Sequence, residues 1–231
     1  MNSTKKAARV AGLLYLLMSI PGGFSLLYVP SVVIVSGDAS ATTHNIVASE
    51  LLFRAGIVSG LIAQAGFIFV AMALYRLLKG VNKKQASLMV TLIVVSVPIS
   101  FLNELNQIAA LTLSKGANFL SAFEKPQLDA LVMVFLSLYD HGNLVAQIFW
   151  GLWLIPFGVL VFKSGFLPRI LGVLLIAACF GYLVSSFTFL LLPAYGHIVS
   201  RFAMVLTLGE LPIMLWLLIK GANDQPLEAP A

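Results

Sequence analysis

The stretch Ile170-Leu-Gly-Val-Leu-Leu-Ile-Ala-Ala-Cys-Phe-Gly-Tyr-Leu-Val-Ser-Ser-Phe-Thr-Phe-Leu-Leu-Leu192 carries no charged side chain. Coiled as a helix it rises about 35 Å at about 1.5 Å per residue, enough to cross a hydrocarbon core of about 30 Å. Stop signals flank it: Lys163 to Arg169 on one side, and the corner Pro193-Ala-Tyr-Gly196 on the other. Reading outward from this stretch, the same length and composition recur. The pattern predicts six spans, at 9–29, 53–78, 86–113, 130–162, 170–192 and 198–219. The intervening breaks carry turn residues or charge: Pro30 to Ser49, Lys79 to Lys84, and Ser114 to Asp129. The fourth segment is longer than a span requires, which suggests an interfacial stretch at 127–139.

The whole chain agrees. Of 231 residues, 60% are hydrophobic and 10% charged, with a mean hydropathy of +0.99. A soluble domain has about 25% charged residues, so this chain could not cover a water-facing surface. One cysteine, Cys179 in an apolar run, excludes a disulfide scaffold. The net charge of +5 does not gather into a patch with interleaved aromatics, so nucleic acid is not an expected partner. The expected fold is all-α, a polytopic bundle of six transmembrane helices spanning 9–220. Residues 1–8 read as a cytoplasmic N-terminal tail, and 221–231, with Pro226 and Pro230, as a disordered cytoplasmic tail.

Orientation follows from the basic residues. With the N-terminus inside, Lys5, Lys6, Arg9, Arg76, Lys79, Lys83, Lys84, Lys163, Arg169 and Lys220 all fall on the inner side, leaving Arg54, Lys115, Lys125 and Arg201 outside. That bias puts both termini in the cytoplasm. The first apolar run reaches almost to Val35, longer than the roughly 7–15 residues of a signal peptide, so it reads as a retained span despite Ala39-Ser-Ala41 beyond it.

Four segments carry a resemblance. Ala8-Arg-Val-Ala-Gly-Leu-Leu-Tyr-Leu-Leu17, Ala48-Ser-Glu-Leu-Leu-Phe-Arg-Ala-Gly-Ile57, Lys163-Ser-Gly-Phe-Leu-Pro-Arg-Ile-Leu-Gly172 and Gly209-Glu-Leu-Pro-Ile-Met-Leu-Trp216 resemble the bacterial membrane family called domain of unknown function 4386, from about residue 8 to about 221. The resemblance implies a bacterial six-helix protein of the cytoplasmic (inner) membrane. It assigns no chemistry to any residue.

Polar residues inside spans are the functional clue, because a charge at the bilayer centre costs at least about 2.5–3.5 kcal/mol. Counting from the inner basic anchors, Glu210 lies roughly 15 Å deep and Gln64 roughly 18 Å. Gln147 and Ser185 lie at roughly 24 Å, Arg201 at roughly 28 Å and Glu104 at roughly 30 Å. Three stripes recur at helical spacing. Asp140, Asn143 and Gln147 share a face of the fourth span. Asn103, Asn106 and Gln107 lie on the third, where Glu104 shares a face with Gln107. Tyr182, Ser185 and Ser186 lie on the fifth. The expectation is a polar pocket that opens outward.

Each candidate has a plain alternative. Glu210 reads as a ligand-binding carboxylate at the pocket base, or as an acid hydrogen-bonded between helices to Gln64. Glu104 and Arg201 match in depth and form a candidate ion pair. Glu50 and Arg54, four residues apart, read as a helix-end salt bridge. The tetrad Asp140-His141-Gly142-Asn143, with Glu104, Glu210 and His197, offers weak metal candidates in His141, Asp140 and His197, or simply marks where the helix leaves hydrocarbon. Gly56-x-x-x-Gly60 reads as close helix packing. Trp150, Trp153 and Trp216 read as ordinary membrane aromatics, and Pro98, Pro156 and Pro212 as kinks.

The expected role is therefore binding of a small molecule or ion through Glu210, Gln64, Glu104, Arg201, Asp140, His141, Asn143, Gln147 and Ser185, with the lipid bilayer as partner and no cofactor implied. The alternatives are an intramembrane enzyme, metal-assisted on a lipid-like substrate, and a non-catalytic partner subunit. The oligomeric state is not legible.

Overall fold

The computed structural model describes residues 3–223. These residues form helices and no strand. Six are long and apolar enough to cross a membrane: Thr4–Val33, Glu50–Leu78, Lys83–Ser114, Lys125–Lys163, Arg169–Leu191 and Pro193–Ile219. The protein is thus an all-helical, multi-pass membrane protein. Most of the sequence-derived spans lengthen by several residues, because a helix keeps its backbone bonds past the end of its apolar run. The first helix already begins at Ser3. The predicted tail lies mostly outside the described residues.

Several spans are interrupted where proline removes a backbone donor. α1 (Ser3–Gly23) holds Pro21 and gives way to a π-helical turn at Phe24–Tyr28, then to α2 (Val29–Val33) with Pro30 in its first turn. α3 (Ala39–Ala48) is a short helix in the loop after it, N-capped by Asp38, which accepts from the Ala41 amide at 2.8 Å. α4 (Glu50–Leu78) is uninterrupted, and α5 (Lys83–Ser114) accommodates Pro98. The fourth span divides into α6 (Lys125–Leu152) and α7 (Leu154–Lys163) at Trp153, three residues before Pro156. α8 (Arg169–Leu191) is regular. The sixth span is α9 (Pro193–Thr207), a 3₁₀ turn at Leu208–Glu210, and α10 (Leu211–Ile219) with Pro212 in its first turn.

The chain forms two compact units. Among the described residues the first holds 3–17, 66–96 and 144–223, and includes α7 to α10 entire. Glycines let its helices approach backbone to backbone. A Cβ at Gly172 would strike the Gly158 carbonyl, and one at Gly158 the Gly172 carbonyl, which locks α7 against α8. Gly181 lies against the Ala203 carbonyl and Gly209 against the Leu174 carbonyl, which draws α9 and its 3₁₀ turn onto α8. Gly12 meets the backbone of Leu217 and Leu218. Arg9 donates to the Ile219 carbonyl at 3.1 Å, so α1 and α10 run antiparallel.

The second unit holds residues 18–65 and 97–143. Its apolar core is Val29, Val33, Ile46, Phe53, Ile57, Ala110, Leu111, Val132 and Leu136. Gly56 packs on Val29, as the small-residue pattern predicts. Glu50 pairs with Arg54 at 2.7 Å, as its spacing predicts, and also with Lys115 at 2.9 Å. Large apolar side chains lie open on both units, among them Leu27, Leu51, Phe119 and Phe202. Such exposure is stable only against lipid.

Candidate functional site: a polar cleft and two carboxylates

In the first unit a cleft of about 280 Å³ is lined by Gln147, Tyr182, Ser185, Ser200, Arg201, Ala203, Met204 and Thr207. α6, α8 and α9 supply them. Of the residues singled out by sequence, Gln147, Ser185 and Arg201 come together here. Behind them, Ser186 donates to Gln147 Oε1 at 3.4 Å and is itself fully buried. The two adjacent serines thus play complementary parts, since Ser185 faces the cleft and Ser186 fixes the glutamine that shares it. Arg201 is the only cation of the lining, which holds no acid. Among the described residues it makes no ion pair or hydrogen bond.

Glu210 is joined to this cleft through Tyr182. Tyr15 of α1 donates to Glu210 Oε2 at 2.5 Å, and Tyr182 interacts with the same carboxylate from α8. Tyr182 therefore has one end on the acid and one surface on the cleft. The 3₁₀ turn that ends at Glu210, followed by Pro212, presents the carboxylate there. Tyr15 is held in turn by an aromatic stack. Its ring lies 6.2 Å from Trp153, which packs edge-on to Phe67 at 5.2 Å and stacks on Phe157 at 5.1 Å. Trp153 is fully buried, so this membrane aromatic is a core residue. The Gln64 expected as partner of Glu210 belongs to the second unit; within its own unit Glu210 is bound by the two tyrosines. Gln64 Oε1 is buried and has no hydrogen-bond partner among the described residues.

In the second unit Glu104 is buried, 5% exposed. Gln107 donates to its Oε2 at 2.9 Å and Tyr139 to its Oε1 at 3.5 Å. A Cβ at Gly60 would strike Glu104 Oε1 and crowd Ser25 Oγ, so Gly60 exists here to admit polar side chains as well as to pack helices. The π-helical turn positions Ser25 at this point. Asn103, which precedes Glu104 in the chain, donates to the Tyr139 carbonyl at 2.8 Å and to Asn143 Oδ1 at 3.1 Å, and accepts from Asn106 at 3.0 Å. Gly142 lies so close to the Asn103 amide that any Cβ would overlap it. The ion pair expected of Glu104 and Arg201 joins residues of different units. Within its own unit Glu104 is served by Gln107 and Tyr139.

The family described as a domain of unknown function (DUF4386) matches residues 10–221. The chain belongs to that family. It is also similar to an uncharacterized protein of Archaeoglobus fulgidus, 33% identical over 154 residues that cover 67% of this chain and 76% of that protein. No solved structure matches it.

In this DUF4386 protein the remaining sequence candidates lie apart from both centres. Asp140 and His141 are exposed. His141 Nδ1 is 2.6 Å from the Ser137 carbonyl, one turn back on its own helix. Tyr139 and Asn143, one turn apart, both meet Asn103 of α5, whereas His141 lies on roughly the opposite side of the helix. His197 is exposed and meets Phe189 edge-on at 5.5 Å. Among the described residues no three His, Cys, Asp or Glu side chains group as metal ligands. Sequence reasoning missed Tyr15 and Tyr139, and it read Gly60 only as close helix packing and Gly142 only as part of a polar tetrad.

Proposed function

We propose that this protein binds a small anionic molecule in the cleft lined by Gln147, Tyr182, Ser185 and Arg201, with Glu210 acting through Tyr182 as a positioning residue. Arg201 carries the reading. Its side chain is exposed at the outer end of the sixth span and has no protein partner among the described residues, so its charge is open to an anion. It is surrounded by hydroxyls and an amide that can donate to an anion without competing for its charge. The enzymatic alternative needs Asp140 and His141 beside Glu104, yet both are exposed and Glu104 is enclosed.

We further propose a bacterial cytoplasmic membrane as the location, with both termini inside and the cleft toward the outer face. The distribution of basic residues supports this orientation. Single cysteines placed at Asn82 and Gly116, in a background where the native thiol Cys179 is buried, would report it. Labelling of the second and not the first by an impermeant maleimide on intact cells is the expected result.

Binding is tested by thermal unfolding of detergent-purified protein against small carboxylates and phosphates. A ligand at about a hundred times its Kd stabilises by about 2.7 kcal/mol, a shift that Arg201→Gln should abolish. If no anion shifts the wild type, or the same anion shifts Arg201→Gln equally, the cleft is not an anion site.

A further inference from the structure

A second pair of cavities in the first unit flanks one end of α4 and belongs to neither carboxylate. One, of about 510 Å³, is bounded by Lys6, Val10 and Leu14 of α1 and by Phe69, Met72 and Arg76 of α4. The other, of about 470 Å³, takes Met72, Arg76 and Lys79 from the opposite flank of the same helix end, with Ser87, Val90 and Thr91 of α5. Met72 and Arg76 are common to both.

Each wall has a head and a tail. Lys6, Val10 and Leu14 follow at four-residue intervals along one face of α1, and Phe69, Met72 and Arg76 lie along one face of α4. On both, the cation stands at the helix end and the apolar residues run inward from it. Val10 is 46% exposed, Phe69 59% and Met72 44%, so the grooves are open to the surrounding medium. Neither lining contains an acid, and among the described residues Lys6, Arg76 and Lys79 make no ion pair. A cationic rim above apolar grooves is complementary to an anionic headgroup that carries acyl chains. A free anion would use the rim and leave the grooves empty. A neutral lipid would use the grooves and leave three cations uncompensated.

We infer that the Lys6–Arg76–Lys79 rim and its two grooves form a binding site for an anionic glycerophospholipid, whose phosphate rests at Arg76 and whose chains lie on either flank of α4. The site is independent of the cleft at Arg201.

The test is retention of lipid by native mass spectrometry, on full-length protein released from nanodiscs of equal phosphatidylglycerol and phosphatidylcholine. Wild type should keep phosphatidylglycerol at least about tenfold over phosphatidylcholine. Each cation near the surface contributes about 1 kcal/mol, so Arg76→Gln should lower that preference roughly fivefold and the triple change Lys6→Gln, Arg76→Gln, Lys79→Gln should erase it. Arg76→Lys, which keeps the charge, should retain most of it. Lys220→Gln, a neighbouring exposed cation outside both linings, should leave it unchanged. Excess glycerol phosphate should fail to displace the lipid. Equal retention of the two lipids by wild type, an undiminished preference in the triple variant, an equal loss with Lys220→Gln, or full displacement by glycerol phosphate would each overturn the assignment. The last would leave a free-phosphate site in its place.

Discussion

Glu104 and Glu210 are both acids within membrane-length apolar helices, and both accept a hydrogen bond from a tyrosine. Their surroundings differ in kind. The neighbours of Glu104 are occupied: Gln107 binds the acid, Tyr139 gives its hydroxyl to Glu104 and its carbonyl to Asn103, and Gly60 closes the space above. The neighbours of Glu210 have a second surface, because Tyr182 also lines the cleft. A carboxylate whose partners are all consumed inside the protein fastens helices together. One whose partner still faces an opening can sense what enters. Glu104 is buried and Glu210 part-buried, and the onward connections of their partners follow the same division.

The sharpest way to break this comparison is at Gly142. Its Cβ would overlap an Asn103 amide that is 6% exposed and bound on three sides, so the amide has nowhere to turn. Gly142→Ala should cost about 3 kcal/mol, from overpacking plus buried amide groups left unpaired. Unfolding in mixed micelles measures it. A variant as stable as wild type would show the asparagine network to be loose, and Glu104 to be no more enclosed than Glu210.

Removing the two acids comes next. Glu104→Ala strands the Gln107 amide and the Tyr139 hydroxyl in a buried place, at about 2 kcal/mol. Glu210→Ala should lower stability by about 1 kcal/mol, while weakening anion binding in the cleft. Equal losses of stability, with binding intact in both, would erase the distinction.

Tyr182→Phe isolates the link between acid and cleft. It keeps the aromatic ring and deletes only the hydroxyl, so stability should fall by less than about 1 kcal/mol while cleft affinity falls roughly fivefold. An unchanged affinity would cut Glu210 off from the cleft and return it to the class of Glu104.

The spans were legible because crossing a bilayer demands a length and composition that few residues can disguise. Their interruptions were partly so: Pro156 and Pro212 announced the breaks near Trp153 and Glu210, whereas the π-helical turn after Pro21 had no separate signal. Depth counting placed Gln147, Ser185 and Arg201 at similar heights, and these three line one cleft. It also matched Glu210 with Gln64, but depth gives height and not azimuth, so it could not foresee that Tyr15 and Tyr182 bind that acid. Tyr15 and Tyr139 were read as part of the apolar background, since a tyrosine hides its one polar atom at the end of a large ring. Gly60 and Gly142 required knowledge of which side chain faces them, and that is a property of two helices together.

The smallest effect tests whether charge matters apart from burial. Glu50 holds two cations at once, Arg54 at 2.7 Å and Lys115 at 2.9 Å, more formal charge pairing than Glu104 or Glu210 enjoys. All three side chains are substantially exposed, so water and salt screen the attraction and long side chains lose freedom to maintain it. Glu50→Gln should therefore leave unfolding within error of wild type at physiological salt and lower it detectably only at low ionic strength. A loss matching that of Glu104→Ala would mean that ion pairing, and not the enclosure of hydrogen-bonded partners, ranks the acids of this protein, and the contrast between Glu104 and Glu210 would have to be redrawn on charge.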